Sequence, residues 1–240
     1  MSSIDAQEIE NFSKDSAYWW DEDGPFKPLH KLNPVRLSYI KAQICEVFER
    51  DIDDLNALKG LSILDVGCGG GLVCEPLARL GARVSGADAD AQAIEVAKAH
   101  AKDSGLKIDY QNKPAEEIGK KFDVVLALEI IEHVNDPQAF VKSVAKLVKP
   151  GGLVIFSTLN RNPKSFLLGI VAAEYILKWV PQGTHSWKKF IKPSELSKMG
   201  RAAGLAPKDV TGLVFNPLQG SFQLSKTDLD VNFLMSFQHR

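Results

Sequence analysis

The stretch Ile63-Leu64-Asp65-Val66-Gly67-Cys68-Gly69-Gly70-Gly71 constrains this chain more than any other. Apolar residues lead into an acid, and four of the five residues from Gly67 to Gly71 are glycine. Leu72 to Leu80 then carries apolar residues at helical spacing. The pattern predicts a buried strand, a tight turn and a helix. Glycines permit φ > 0 and let a ligand approach the backbone without meeting a Cβ, and the helix start beyond them offers unpaired N–H groups.

A dinucleotide site would require G-x-G-x-x-G, with a pyrophosphate at the helix N-terminus. Gly67 and Gly69 fit, but Leu72 stands at the third position, which disfavours an NAD-dependent dehydrogenase. A carboxylate at Asp65 suits a ligand that presents an amine or hydroxyls rather than phosphates. Asp88 follows at the end of Arg83-Val84-Ser85-Gly86-Ala87-Asp88, the expected second strand. A carboxylate there can accept from both hydroxyls of a ribose, in charge-assisted bonds of roughly 1.5–3 kcal/mol each. The arrangement Asp65-x-Gly67-x-Gly69 resembles the first motif of the class I methyltransferases that use S-adenosylmethionine.

The 240 residues suffice for one large domain with additions. A formal charge of −1 argues against nucleic acid as a partner. Cys45, Cys68 and Cys74 form no disulfide framework or metal motif and fit a reducing cytoplasm. No signal peptide is visible at the acidic N-terminus, and the longest apolar runs fall short of a membrane span.

Along the chain, residues 1–20 read as a short helix ending in Tyr18-Trp19-Trp20, with a polar connector from Asp21 to Pro28. A second helix is expected to about Asp51, with Asn33 as N-cap and Pro34 at its first position. Arg36 then falls in the first turn, where a cation opposes the helix dipole. That placement points either to a ligand carboxylate or neighbouring acid, or to a solvated arginine. From Gly60 onward strand and helix alternate. Strands are expected near 61–66, 83–88, 107–111, 123–128 and 153–158, and helices near 71–80, 90–104 and 136–148, with Asp90 as an N-cap. A helix from Ser194 to Ala203 and strands at 208–215 and 231–238 complete the reading. This is an α/β fold with right-handed crossovers. Its parts are an N-terminal helical cover (1–59), a cofactor-binding core (60–160), an insertion (161–192) and a C-terminal completion of the sheet (193–240).

The methyltransferase resemblance implies a Rossmann-like, seven-stranded, mostly parallel sheet with helices on both faces. It implies that Asp65, Gly67 and Gly69 pass the methionine moiety, that Asp88 holds the ribose, and that residues 112–116 border the adenine. Leu128 would lie near the ligand at the end of strand four, and Arg36 would hold the methionine carboxylate.

On the acceptor side, Glu129, Glu132 and His133 are spaced i, i+3, i+4, so a helical turn would gather them on one face. Such a set can hold a divalent cation such as Mg, or supply a general base through His133 and Glu132. A helix-start cluster with a glutamate bonded to backbone N–H is the plainer reading. His185 is an alternative base. Phe166, Ile170, Ala173, Leu177 and Val180 repeat at helical spacing and predict an inserted helix after strand five. Arg161, Lys164, Lys178, Lys188, Lys189 and Lys192 surround it, against Glu174 alone. With Trp179, that composition suits a membrane-surface element or a lid over an apolar substrate; an ordinary core helix is the alternative.

Leu32-Asn33-Pro34-Val35-Arg36, Ser157 to Asn162, Gly183-Thr184-His185, Lys189 to Pro193, Thr211-Gly212-Leu213 with Asn216-Pro217, and Asp230 to Phe233 together resemble the bacterial O-methyltransferases of ubiquinone biosynthesis. The resemblance spans nearly the whole chain. It implies methylation of phenolic hydroxyls on a polyprenyl catechol and on 3-demethylubiquinol. It also implies a peripheral position on the inner face of the cytoplasmic membrane, an anionic lipid surface as partner, and association with other enzymes of that pathway. One departure is Leu128, where a relative carries methionine. A methyltransferase for another small acceptor and a non-catalytic cofactor-binding assembly factor are the alternatives.

Overall fold

A computed structural model describes residues 13–167 and 187–240. Eight strands form one sheet: β1 (Ser62–Val66), β2 (Arg83–Asp88), β3 (Asp109–Asn112), β4 (Phe122–Leu128), β5 (Val148–Leu159), β6 (Leu205–Asn216), β7 (Ser221–Ser225) and β8 (Asn232–His239). Their spatial order is β3-β2-β1-β4-β5-β8-β6-β7. The first five run parallel, and β8 lies antiparallel between β5 and β6. Helices α1 (Lys27–Val47), α2 (Cys74–Arg79), α3 (Ala91–Asp103), α4 (Pro137–Leu147) and α5 (Pro193–Ala202) cover the two faces.

The strands at the centre are apolar on both sides because both faces are covered. Successive residues alternate between two cores. Ile63, Val124 and Ile155 pack with α1, α2 and α3, whereas Leu64, Val125 and Phe156 pack with α4 and α5. Phe156 meets Phe237 of β8 edge to face at 5.9 Å, a pairing worth ~0.5–1.5 kcal/mol beyond area burial. Asp90 caps α3 by accepting the Gln92 N–H at 2.9 Å, as its position predicts.

Two expectations are revised. The sheet has eight described strands rather than seven, because β6 folds back onto the short edge strand β7. Ser221 to Ser225 is too short and polar to announce itself as a strand. The larger revision concerns α1, which begins at Lys27. Pro28 occupies its first turn, and Pro34 lies inside the helix. Asn33 is therefore not an N-cap, and Arg36 sits in mid-helix, where the macrodipole argument does not apply. Of the expected N-terminal helix, residues 1–12 lie outside the described part, and Ser16–Tyr18 forms a single 3-10 turn. The inserted helix beyond Leu167, with Trp179 and His185, also lies outside the described residues.

Candidate active site

The carboxyl ends of β1, β2, β4 and β5 lie along one edge, where ligands of open α/β sheets bind. The turn after β1 is tied to β2 by the Gly67 N–H, which donates to the Ala87 carbonyl at 2.7 Å. Gly67 has φ +75° and Gly69 has φ +50°. A Cβ on Gly67 would collide with Ile130, which follows β4. Conformation and close approach together require glycine there.

Asp88 and the turn form a unit. One Asp88 carboxylate oxygen accepts the Gly69 N–H at 2.8 Å and the other accepts the Asp90 N–H at 2.8 Å. Asn112 donates to the Asp88 carbonyl at 2.9 Å, so the end of β3 abuts the tip of β2. Asp65 is deeper, at 2% exposure. Burial pushes its carboxyl up to about 7, with the charge of Arg36 opposing the rise.

Arg36 is 4% exposed. Burial lowers its pKa, while the charges of Glu129 and Asp65 oppose that drop. Its Nη2 donates to Asn33 Oδ1 at 3.0 Å, and Asn33 in turn donates to the Leu72 carbonyl at 2.8 Å. The Arg36 Nε has no partner among the described residues. A buried guanidinium with a spare donor is suited to an incoming carboxylate. Of the two readings that pattern left open, the solvated arginine is excluded by this burial. Leu128 closes β4 as a nearly buried side chain of the same core.

Glu129, Glu132 and His133 do not share a helical face. Glu129 leaves β4 with φ +53°, uncommon for a residue with a side chain. Only Ile131–His133 forms a 3-10 turn. Glu129 accepts from Ser157 Oγ at 2.6 Å and from Asn232 Nδ2 at 2.9 Å. Glu132, 3% exposed, accepts from Thr158 Oγ1 at 2.8 Å. Among the described residues no group of three His, Cys, Asp or Glu side chains is arranged to hold a metal ion. The expected Mg set is thereby corrected. The backbone turns between Glu129 and Glu132, and hydroxyl and amide donors engage the carboxylates. Burial first, and then the neighbouring Glu129 charge, holds the Glu132 carboxyl well above the carboxylate range, with His133 opposing. Ser157, Thr158 and Asn232 were legible only as pieces of a resemblance. Their role as donors to the acids depends on β5 and β8 lying side by side.

The base of the insertion is less basic than its sequence suggests. Lys164 pairs with Asp228 at 3.1 Å and Asp230 at 3.0 Å, and Arg161 pairs with Glu195. Phe166 and Leu167 are exposed beside Trp187, with Phe166 and Trp187 edge to face at 6.3 Å. A cavity of about 600 Å³ adjoins them, lined by Asn160, Arg161, Pro163, Trp187 and Lys192 among others. Among the described residues no helix is long and apolar enough to cross a membrane.

A family model described as a methyltransferase domain matches residues 37–209. A ubiquinone biosynthesis O-methyltransferase of Cereibacter sphaeroides (strain ATCC 17029) is 52% identical over 242 residues, covering 100% of this chain and 98% of that protein. One of the same name from Bartonella bacilliformis is 52% identical, covering 98% and 95%. Among solved structures, a possible histamine N-methyltransferase from Thermotoga maritima superposes with a TM-score of 0.64 at 17% identity, covering 98% of this chain and 99% of that one. Magnesium protoporphyrin IX methyltransferase from Synechocystis with bound S-adenosylhomocysteine gives a TM-score of 0.60 at 18% identity, covering 96% and 100%. The acids at the strand tips, the glycine turn they border and full-length identity to these relatives agree: the chain belongs to the ubiquinone biosynthesis O-methyltransferase family, S-adenosylmethionine-dependent enzymes built on the class I methyltransferase fold.

Proposed function

We propose that this protein methylates phenolic hydroxyls of prenylated acceptors, a 2-polyprenyl-6-hydroxyphenol and 3-demethylubiquinol. The observation that carries the reading is a buried, partly unpartnered Arg36 within charge range of Asp65, together with Asp88 bound to the glycine turn that follows Asp65. Arg36 suits the methionine carboxylate, Asp65 the neighbouring ammonium, and Asp88 the ribose hydroxyls, with Gly67 and Gly69 giving close approach and Leu128 an apolar wall. When bound, S-adenosylmethionine supplies an electrophilic methyl group on a sulfonium.

The chain must remove a proton from the acceptor, since a phenol has a free pKa of about 10. His133 and Glu132 follow β4 at the same edge, and Glu132 binds a proton more readily than an ordinary carboxylate. We assign the phenolic proton to this pair, with His133 as base and Glu132 as the acid beside it, able to take up a proton near neutral pH. Holding oxygen and methyl in line supplies much of the acceleration, up to ~7–11 kcal/mol in favourable cases. No step is routed through a divalent cation.

A polyprenyl acceptor is nearly insoluble in water. The exposed Phe166, Leu167 and Trp187 beside Lys188 support contact with an anionic membrane surface, at the inner face of the cytoplasmic membrane. Other enzymes of the pathway would be neighbours there. The deciding experiment incubates the protein with labelled S-adenosylmethionine and a prenylated catechol and identifies the product. A labelled methyl ether is expected. Transfer to an unprenylated acceptor alone would favour a different small-molecule methyltransferase, and no transfer to any catechol would favour an assembly factor.

A further inference from the structure

The residues ahead of α1 have no task in the reading above, yet two consecutive tryptophans there meet the glycine turn. The Trp20 indole N–H donates to the Gly70 carbonyl at 2.9 Å, and its ring lies flat on His100 of α3 with centroids 3.5 Å apart. Trp20 is a fully engaged anchor. Trp19 differs. Its ring stacks on Phe26 at 3.9 Å, and its carbonyl lies 2.9 Å from His30 Nε2. The ring lies so close over the turn that a Cβ on Gly69 or Gly70 would collide with it. Its indole N–H is nevertheless buried and has no hydrogen-bond partner among the described residues.

Native structures leave few buried donors unpaired, so each such donor calls for an explanation. The edge of the ring that meets Gly69 is formed by Cζ2, Cη2 and Cε2, and Cε2 is the carbon bonded to Nε1. The backbone N–H of Gly69 donates to Asp88. One glycine is thus bordered by the carboxylate assigned to the ribose and by an idle indole donor. Arg36 Nε is another buried donor of this site without a partner among the described residues.

We propose that Trp19 is a cofactor-binding residue: its indole roofs the glycine turn, and its N–H donates to an oxygen of the bound cofactor. The inference rests on the reading that this turn holds S-adenosylmethionine, and deepens it. It gives the N-terminal segment a function. Ser13 and Ser16 bind the Asp90 carboxylate at 3.0 and 2.5 Å, so the segment carrying Trp19 is fastened to the start of α3. Cofactor and segment then hold each other in place.

The test uses the full chain with S-adenosylhomocysteine as probe. The chain has four tryptophans, so indole-¹⁵N labelling gives four resonances, assigned by single replacement with phenylalanine. On adding the probe, the Trp19 indole N–H should shift and gain protection from solvent exchange. Trp19→Phe keeps most of the ring area and should weaken binding about tenfold by calorimetry, whereas Leu218→Ala, at an exposed turn position, should leave it unchanged. If Trp19→Phe does not fold, the wild-type resonance, assigned by elimination from the other three variants, still decides. Probe binding with no change at the Trp19 resonance would overturn the inference and leave the cofactor reading standing. Failure of the wild-type protein to bind the probe would overturn both.

Discussion

Asp88 grips the backbone of Gly69: one oxygen of its carboxylate accepts the glycine N–H at 2.8 Å. The end of β2 thereby fixes the conformation of the turn that follows β1. Its second oxygen holds the Asp90 N–H at the start of α3. The residue assigned to the ribose is therefore also the brace of the turn, and the site is shaped before any ligand arrives.

Replacing Asp88 with alanine removes both the ribose acceptor and the brace. Binding of S-adenosylhomocysteine should fall at least tenfold and up to ~150-fold, the equivalent of one charge-assisted bond of ~1.5–3 kcal/mol. Asp88→Asn keeps one acceptor oxygen and should fall between the two. Calorimetry on both variants checks this, and unchanged affinity in the alanine variant would remove the ribose role.

Asp65 makes stability fall as pH rises. Burial raises its folded-state pKa from 3.8 to about 7, so between those values the folded protein holds a proton that the unfolded chain has released. Its contribution is present below about pH 4 and is lost as pH climbs through about 7. Asp65→Asn should flatten the melting temperature between about pH 4.5 and 7. The same variant should bind the cofactor more weakly at pH 8. Melting curves that stay parallel across pH would contradict the burial argument.

Glu132 and His133 are expected to act together. Glu132→Gln and His133→Ala should each lower methyl transfer by ~10²–10⁴-fold, the range of a general base. Affinity for S-adenosylhomocysteine should change little. The rising limb of the wild-type rate against pH should lie above the usual carboxylate range, as a property of the cluster rather than of one residue. Because the acids are bound by Ser157, Thr158 and Asn232, transfer should persist in the presence of a strong chelator. Abolition by chelator, with recovery on adding Mg, would restore the cation.

Flotation with anionic vesicles tests the membrane contact. The full chain should float, and Phe166→Asp with Leu167→Asp should reduce flotation severalfold while leaving the melting temperature within about 2 °C, since both side chains are exposed. Undiminished flotation in this double variant would move the contact elsewhere.

The glycine turn, the alternation of strand and helix, and the acids at Asp65 and Asp88 are local patterns, and the chain alone specified them. Periodicity and turn chemistry act over a few residues, so the parallel core was readable. Short-range rules fail where distant segments meet. Pro34 looked like a helix start, but the core that α1 covers outweighs a proline's local preference, and Arg36 is carried into the interior. Glu129, Glu132 and His133 shared a helical spacing, but the backbone turns at Glu129, and their partners come from β5 and β8. Lys164 and Arg161 read as free positive charge until the C-terminal segment brought Asp228, Asp230 and Glu195 beside them. The sequence by itself determined the sheet and its ligand-binding edge, because apolar spacing and glycine act locally. Only the tertiary structure decided which acids are buried, what occupies their oxygens and that Trp19 covers the turn, because desolvation and hydrogen bonding depend on residues far apart in the chain.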